Sequence, residues 1–357
     1  MSLGRGHLFH ECLVGDGLRK VFIPIFYNNV ITLEVHGKPM KVVNDITGLI
    51  GETPMVRLNK VTKPGSAELY AKLEWYNIGG SVKDRMALYL IEYAEAAGKL
   101  KGDKTILEAT SGNTGIALAM IAAAKGYRIA IVMPESVSLE RRAIIQAYGA
   151  ELILSPAEKG TGGAVELKQR ILRENPDRYV DLDQFKDPAN ILAHYETTGK
   201  EILHQTDGHL DMIVVGVGTA GTGVGVSMRV KAYNPKVKII GVMPKLGVSI
   251  QGLRNPDEPY PTQLYRREWF DEVFEITREE VPETFKVARE VARKEGLLVG
   301  MSSGAILYIA LKKAEILGEG KRIVAILPDD GTKYFTTPLY ANHETEEDIR
   351  EALEHNL

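Results

Sequence analysis

Cysteine is almost absent from this 357-residue chain. Cys12 stands alone, so no disulfide can close within one chain and no thiolate cluster can hold a metal. A reducing, cytoplasmic setting is the corresponding expectation. His10 lies close to Cys12, but a lone pair near a terminus is more often incidental than ligating, and no metal is expected. Long apolar runs are lacking too: Gly115–Ala124 and Met212–Val217 fall well short of the ~20 residues of a membrane-spanning helix. The N-terminal stretch has no basic segment, apolar run and small-residue cleavage site in sequence, so export is not expected. Finally there is no surplus of charge. The net charge is −3 with both signs intermixed, which gives no electrostatic reason to expect nucleic acid or an anionic membrane as partner. A small-molecule ligand fits better.

What is present is a chain with 44% hydrophobic residues, enough for one or two well-packed domains. Short β-branched or apolar runs alternate with amphipathic ones: Thr105–Glu108, Gly115–Lys125, Arg128–Met133, Leu139–Tyr148 and Glu151–Leu154. A second series has strands at Asp211–Val215, Val237–Val242 and Arg322–Leu327 around a helix over Gly223–Tyr233. This is the rhythm of βαβ units, and it predicts an α/β fold of two parallel-sheet domains. The expected division is a smaller mobile domain over residues 68–185 and a larger one made of 44–67 and 186–340. The boundary falls near Asp181–Ala189, before a helical pattern over Asn190–His204. Residues 1–43 read as an added arm with a hairpin of Val21–Tyr27 and Val30–Val35 about Asn28-Asn29. Residues 341–357 read as an acidic helix with Ile349 and Leu353 on one face.

Four segments carry candidate chemistry. In Asn77-Ile78-Gly79-Gly80-Ser81-Val82-Lys83-Asp84-Arg85, Ser81 is a candidate N-cap for a helix with Met86, Leu90, Tyr93 or Ala94, and Ala97 on one face. A lysine in the first turn meets the positive end of the helix dipole. That field favours the neutral amine needed for Schiff-base chemistry, although an exposed helix lysine fits the same pattern. Glu108-Ala109-Thr110-Ser111-Gly112-Asn113-Thr114-Gly115 links a strand to an apolar helix and can gather donors for a carboxylate, or form a turn with no ligand. Gly216-Val217-Gly218-Thr219-Ala220-Gly221-Thr222-Gly223 is a glycine-rich turn suited to a phosphate. It lacks the Lys-Ser/Thr ending of a nucleoside-triphosphate loop. Gly300-Met301-Ser302-Ser303-Gly304 again opens an apolar helix, where serines commonly serve as caps.

In order and approximate spacing, these segments resemble those of cysteine synthases and cystathionine β-synthases. These are the β-replacing branch of the fold-type II, tryptophan synthase β-subunit-like enzymes that use pyridoxal 5'-phosphate. The resemblance runs from about Ile46 to Tyr340 and takes in Gly51-Glu52-Thr53-Pro54, Met133-Pro134-Glu135, Ser138-Leu139-Glu140-Arg141-Arg142 and His194-Tyr195-Glu196-Thr197-Thr198-Gly199. It implies a cofactor in the cleft between two domains, linked to Lys83, which later serves as acid and base at Cα. Asn113 would meet the ring hydroxyl and Ser302 the pyridine nitrogen. Gly218, Thr219, Ala220, Gly221 and Thr222 would hold the phosphate, with Ala220 departing from the glycine or threonine frequent there. Thr110, Ser111, Thr114 and Gln184 would receive the substrate carboxylate.

The implied reaction replaces the β-substituent of an activated serine through an α-aminoacrylate, giving L-cysteine when sulfide is the nucleophile. In Gly252-Leu253-Arg254-Asn255 the segment looks like the branch that favours O-phospho-L-serine, with Arg254 facing the leaving phosphate. A guanidinium matches a phosphate with paired hydrogen bonds, whereas acetate needs no such partner. An intramolecular ion pair is the alternative use of Arg254. O-acetyl-L-serine is the next donor to consider. A sulfur-carrier protein is a further sulfur source, and homocysteine would make the enzyme a cystathionine β-synthase. A homodimer is expected by resemblance. A different class of function, a pyridoxal-phosphate-binding regulatory or scaffolding partner, would lack turnover.

Overall fold

The computed structural model describes residues 10–14, 17–21, 42–110, 112–137 and 139–341. It divides into two units, Met1–Val42 and Val43–Leu357. In the first, β1 (His10–Val14) pairs antiparallel with β2 (Gly17–Val21), His10 opposite Val21. Apart from Val21, the hairpin expected over Val21–Val35 lies outside the described residues, as does the expected C-terminal helix with Ile349 and Leu353.

The second unit holds two sheets. The six-stranded one is built from β3 (Met55–Leu58), β4 (Glu68–Leu73), β9 (Met212–Gly216), β10 (Lys238–Pro244), β11 (Glu272–Ile276) and β12 (Arg322–Leu327). Their order is β11-β10-β9-β12-β4-β3, parallel throughout except for β3 against β4. The four-stranded sheet, of order β7-β6-β5-β8, is wholly parallel and uses β5 (Thr105–Ala109), β6 (Arg128–Pro134), β7 (Glu151–Ser155) and β8 (Tyr179–Asp181). The central strands are apolar on both faces: Ile213 and Val214 of β9 and Ile323 and Val324 of β12 are fully buried, as sheets covered by helices require. Burying each such side chain stabilises the fold by roughly 1.5–3 kcal/mol.

Two expectations change. Glu68–Leu73, expected with the smaller domain, sits inside the six-stranded sheet because it pairs in register with β12, Ala71 opposite Ala325. The helix expected over Asn190–His204 is broken into α5 (Ala189–Ala193), a π-helical turn His194–Thr198, and α6 (Gly199–Gln205). The break has a local cause. His194 Nδ1 lies 2.9 Å from Thr198 Oγ1, and Gly225 of α7 (Gly221–Tyr233) packs so closely that a Cβ there would stand 2.3 Å from the Ile191 carbonyl oxygen. Among the described residues no helix is long and apolar enough to cross a membrane, and no group of side chains could hold a metal.

Candidate active site

In parallel α/β sheets, ligand sites form where the chain leaves the carboxyl ends of the strands. Each expected site segment departs from such an end, or opens a helix beside one. The Lys83 segment follows β4. Thr110 follows β5, Gln184 follows β8, Gly218 follows β9 and Arg254 follows β10. Ser302 opens α9 (Met301–Leu317).

Lys83 is the first residue of α1 (Lys83–Ala96). Met86, Leu90 and Ala94 face the core, whereas Tyr93 is 46% exposed and Ala97 is exposed, so the apolar stripe runs through Ala94. Nearly every residue leading into α1 has a task. Asn77 accepts the Gly51 N–H at 2.8 Å and donates to Glu74. The Gly79 N–H donates to the Asp84 carboxylate at 2.6 Å, and a Cβ on Gly79 would collide with that carboxylate. Gly80 takes a φ of +78°, open to glycine and strained for other residues. Ser81 Oγ accepts the Lys83 N–H at 3.2 Å, but the N-cap of α1 is Val82, which makes no side-chain capping bond, so Ser81 supports the turn before the helix rather than capping it as expected. Burial pulls the Lys83 amine down to about 8, and the Asp329 carboxylate opposes the shift. Desolvation thus does what the helix dipole was expected to do. Among the described residues the amine has no hydrogen-bond or ion-pair partner.

From Lys83 a closed ring of contacts runs through the expected site. Ser81 and Asp329 form an isolated β-bridge, and Asp329 Oδ2 accepts from Asn113 Nδ2 at 2.8 Å. Asn113 begins α2 (Asn113–Lys125), whose next residue, Thr114, donates to Gln184 Oε1 at 2.7 Å. The Gln184 carbonyl accepts from Asn190 Nδ2, which also donates to Thr219 Oγ1 at 3.0 Å. Thr219 and Gly218 lie in the glycine-rich turn. A Cβ on Gly218 would come within 2.9 Å of the Gly252 carbonyl oxygen, and one on Gly252 within 3.1 Å of Ser302 Oγ. Ser303 Oγ then donates to the Asp329 carbonyl at 3.2 Å and closes the circuit.

The turn between β9 and α7 is shaped for close approach. Ala220 takes the left-handed φ of +71° although it is not glycine, and a Cβ on Gly221 would lie 2.0 Å from Asn190 Oδ1. That buried amide oxygen has no hydrogen-bond partner among the described residues. Thr222 Oγ1 rests 3.1 Å from His194 Nε2. Burial, then the charges of Arg85 and Lys83, hold the His194 imidazole well below its ordinary pKa, so it is neutral. Thr110 is buried and its Oγ1 accepts the Gly112 N–H at 3.2 Å. Ser111 lies outside the described residues. Arg254 stands beside the ring: its N–H donates to the Val217 carbonyl, and its guanidinium lies over the Phe185 ring at 5.2 Å. The side chain is 13% exposed, with Nε 3.1 Å from Glu258 Oε2 and NH2 on the Pro259 carbonyl, so the intramolecular ion pair is the state seen.

Sequence reasoning missed Asp329, Lys333, Tyr334 and Asn190, and also the buried ion cluster beneath α1. Arg85 Nε lies 2.7 Å from Glu74, and its NH1 lies 2.6 Å from Glu201, which also pairs with Lys72 at 2.6 Å. The available signal was a charge inside an apolar strand, Lys72, and the acidic pair Asp329-Asp330, one intervening residue beyond the end of β12.

Fold and ring define an α/β protein with a buried lysine amine at the carboxyl ends of its strands. The chain belongs to the pyridoxal-phosphate dependent enzyme family, whose profile matches residues 46–329, and within it to the cysteine synthase and cystathionine β-synthase group. A cysteine synthase of Staphylococcus aureus is 42% identical over 313 residues, 84% of this chain and 98% of that protein. The crystal structure of an O-ureido-L-serine synthase superposes with a TM-score of 0.79 at 37% identity, over 87% of this chain and 100% of its own. That of O-acetyl serine sulfhydrylase isoform 3 from Entamoeba histolytica gives 0.79 at 36% identity, over 94% and 99%.

Proposed function

We propose that the protein makes L-cysteine by replacing the β-substituent of an activated L-serine with sulfide. The observation that carries this reading is the closed ring, which gathers a buried amine, hydroxyl and amide side chains, and a glycine cradle at one set of strand ends. The residues present fit pyridoxal phosphate. An amine with no partner among the described residues is available for an aldehyde, and the cradle at Gly218 and Gly221 has no room for side chains. Bound there, the cofactor would supply an electrophilic carbonyl and a ring that takes up electron density.

Lys83 is the attachment point, and its freed amine removes and returns the proton at the substrate Cα. Asn113 donates to the ring oxygen. Backbone N–H groups of Gly218, Thr219, Ala220, Gly221 and Thr222, at the N-terminus of α7, hold the phosphate. Ser302 meets the pyridine nitrogen with a hydroxyl, which, unlike a carboxylate, need not keep that nitrogen protonated. This favours loss of the β-substituent over transamination. Thr110, Ser111, Thr114 and Gln184 bind the substrate carboxylate, and closure of the Thr110–Gly115 loop excludes water. Capture of pyridoxal phosphate by the apo-protein is expected to be half-maximal near pH 8, because the neutral amine is the reactive form. Following absorbance growth across pH 6 to 10 tests this, and a midpoint near 10.5 would contradict a buried amine.

For the leaving group the reading keeps O-phospho-L-serine first, since the Arg254 backbone is tied to Val217 and its guanidinium lies over Phe185, next to Gln184. The Arg254–Glu258 ion pair favours O-acetyl-L-serine as the second reading. Arg254→Ala is expected to lower kcat/KM for phosphoserine by roughly 10–100-fold, the worth of a charge-assisted pair of hydrogen bonds. It should leave acetylserine within about twofold, and Glu258→Gln should raise phosphoserine turnover by freeing the guanidinium. The deciding experiment is a visible-spectrum titration of loaded protein with each donor, followed by sulfide and product analysis. Equal effects of Arg254→Ala on both donors would remove the phosphate role. A spectrum that neither donor changes would remove β-replacement itself and favour a binding partner without turnover.

A further inference from the structure

The Asn113 side-chain amide sits between two groups of opposite hydrogen-bonding character. Lys333 Nζ donates to Asn113 Oδ1 at 3.1 Å and to the Gly80 carbonyl at 2.9 Å. On the other side Asn113 Nδ2 donates to Asp329 Oδ2 at 2.8 Å. A lysine ammonium can only donate, so it must face the amide oxygen. Asp329 Oδ2 also accepts from the Tyr334 hydroxyl at 2.8 Å, so it is an acceptor whether or not a proton sits on Oδ1. A flipped Asn113 would set an NH2 against an ammonium and an oxygen against an acceptor. The site is built for this arrangement. Asp329 is fully buried, its Oδ1 has no hydrogen-bond partner among the described residues, and a Cβ on Gly300 would lie 1.9 Å from that oxygen.

We propose that Lys333 and Asp329 are positioning residues that fix the polarity of the Asn113 amide, so that Asn113 can offer its ligand only an N–H. The inference rests on the cofactor reading above and deepens it. The acceptor it selects is an oxygen anion on the ring of pyridoxal phosphate. With Lys333 removed, only Asp329 still opposes a flip, and the share of amides that turn their oxygen toward that anion repel it.

The test is a double-mutant cycle on cofactor affinity, with Lys333→Met, Asn113→Ala and the pair together. Dissociation constants for pyridoxal phosphate come from equilibrium dialysis, the visible band of each loaded protein is recorded, and urea midpoints of the apo-proteins report folding. Lys333→Met should weaken binding by roughly tenfold and move the visible band, the loss of one charge-assisted hydrogen bond. In the Asn113→Ala background the same change should alter affinity by less than about twofold, because there is no amide left to orient. Asp329→Asn, which can turn its own N–H toward Asn113, should reproduce the loss and the coupling. An unchanged constant and band in Lys333→Met would overturn the proposal. So would an equal loss in the Asn113→Ala background, since Lys333 would then act through Gly80 alone. Wild-type protein that retains no pyridoxal phosphate on Lys83, checked by borohydride reduction and peptide mass, would overturn the cofactor reading before any variant is compared.

Discussion

Lys83→Ala is expected to lose turnover by on the order of 10⁴-fold or more while folding at least as well as the wild type. On the proposed reading the substitution removes both the attachment point and the acid–base group at Cα, and acid–base catalysis alone contributes roughly 10²–10⁴-fold. Lys83→Arg should fare no better, because a guanidinium stays protonated and cannot supply a neutral amine. The expectation for folding follows from the lowered pKa. The amine titrates near 8 in the folded protein and near 10.5 when exposed, so between these values the unfolded state binds more protons. Stability of the apo-protein therefore rises with pH across that window, and the destabilisation from burying the ammonium is fully present below about pH 8. Urea melts of apo wild type and Lys83→Ala at pH 7 and pH 10 check both claims. The variant should be the more stable at pH 7, and the gap should shrink at pH 10. A variant less stable at pH 7 would mean that the amine has a structural partner, and preserved turnover would move the chemistry to another residue.

The fold was legible because its strands are apolar on both faces and its turns carry glycine and hydroxyl residues at fixed offsets. Those signals are local. Arg322–Leu327 was delimited correctly from sequence, and Lys238–Pro244 to within two residues. The membership of β4 was not legible, since pairing with a strand some 250 residues later leaves no mark in the sequence around Glu68. The π-helical turn at His194–Thr198 was hidden for a related reason. Periodicity reports an apolar stripe, whereas the break depends on Gly225 packing against Ile191 from another helix. Within the site, Lys83, Asn113, Gly218, Thr219 and Ser302 were named by motif, and the structure brings them onto one ring. Asp329 was passed over because two aspartates after a strand read as an exposed turn. Its burial comes from Gly300, which arrives from elsewhere in the chain, and from Tyr334, which folds back from the turn that follows. Motifs mark local sequence patterns, but not the buried groups that the fold packs behind them.

The second large effect is expected at Glu201, which makes none of the contacts of the ring. Lys72, Glu74 and Arg85 have fully buried side chains, and Glu201 is 16% exposed. Two cations meet two anions, so the cluster is neutral as a whole. Arg85 donates to both carboxylates and to Thr53 Oγ1, and Lys72 also donates to the Thr53 carbonyl and Gln205. Removing one partner from such a group leaves an uncompensated buried charge, which destabilises by roughly 3–5 kcal/mol. Glu201→Ala should lower stability by about that amount, since Lys72 and Arg85 would be left with Glu74 alone. Burial pushes the Glu201 carboxyl up, but hydrogen bonds and charge from Arg85 and Lys72 outweigh this and hold it at about 2. A lowered carboxylate contributes stability that is present above its unfolded value near 4.5 and is lost as pH falls toward 2. Urea midpoints between pH 7 and pH 2.5 should therefore converge for wild type and Glu201→Ala at the acid end and differ most at neutrality. Because Arg85 sits two residues beyond Lys83, the variant should also bind pyridoxal phosphate more weakly under conditions where it remains folded. Wild-type stability and cofactor affinity in Glu201→Ala would show that the cluster neither supports the fold nor seats the lysine.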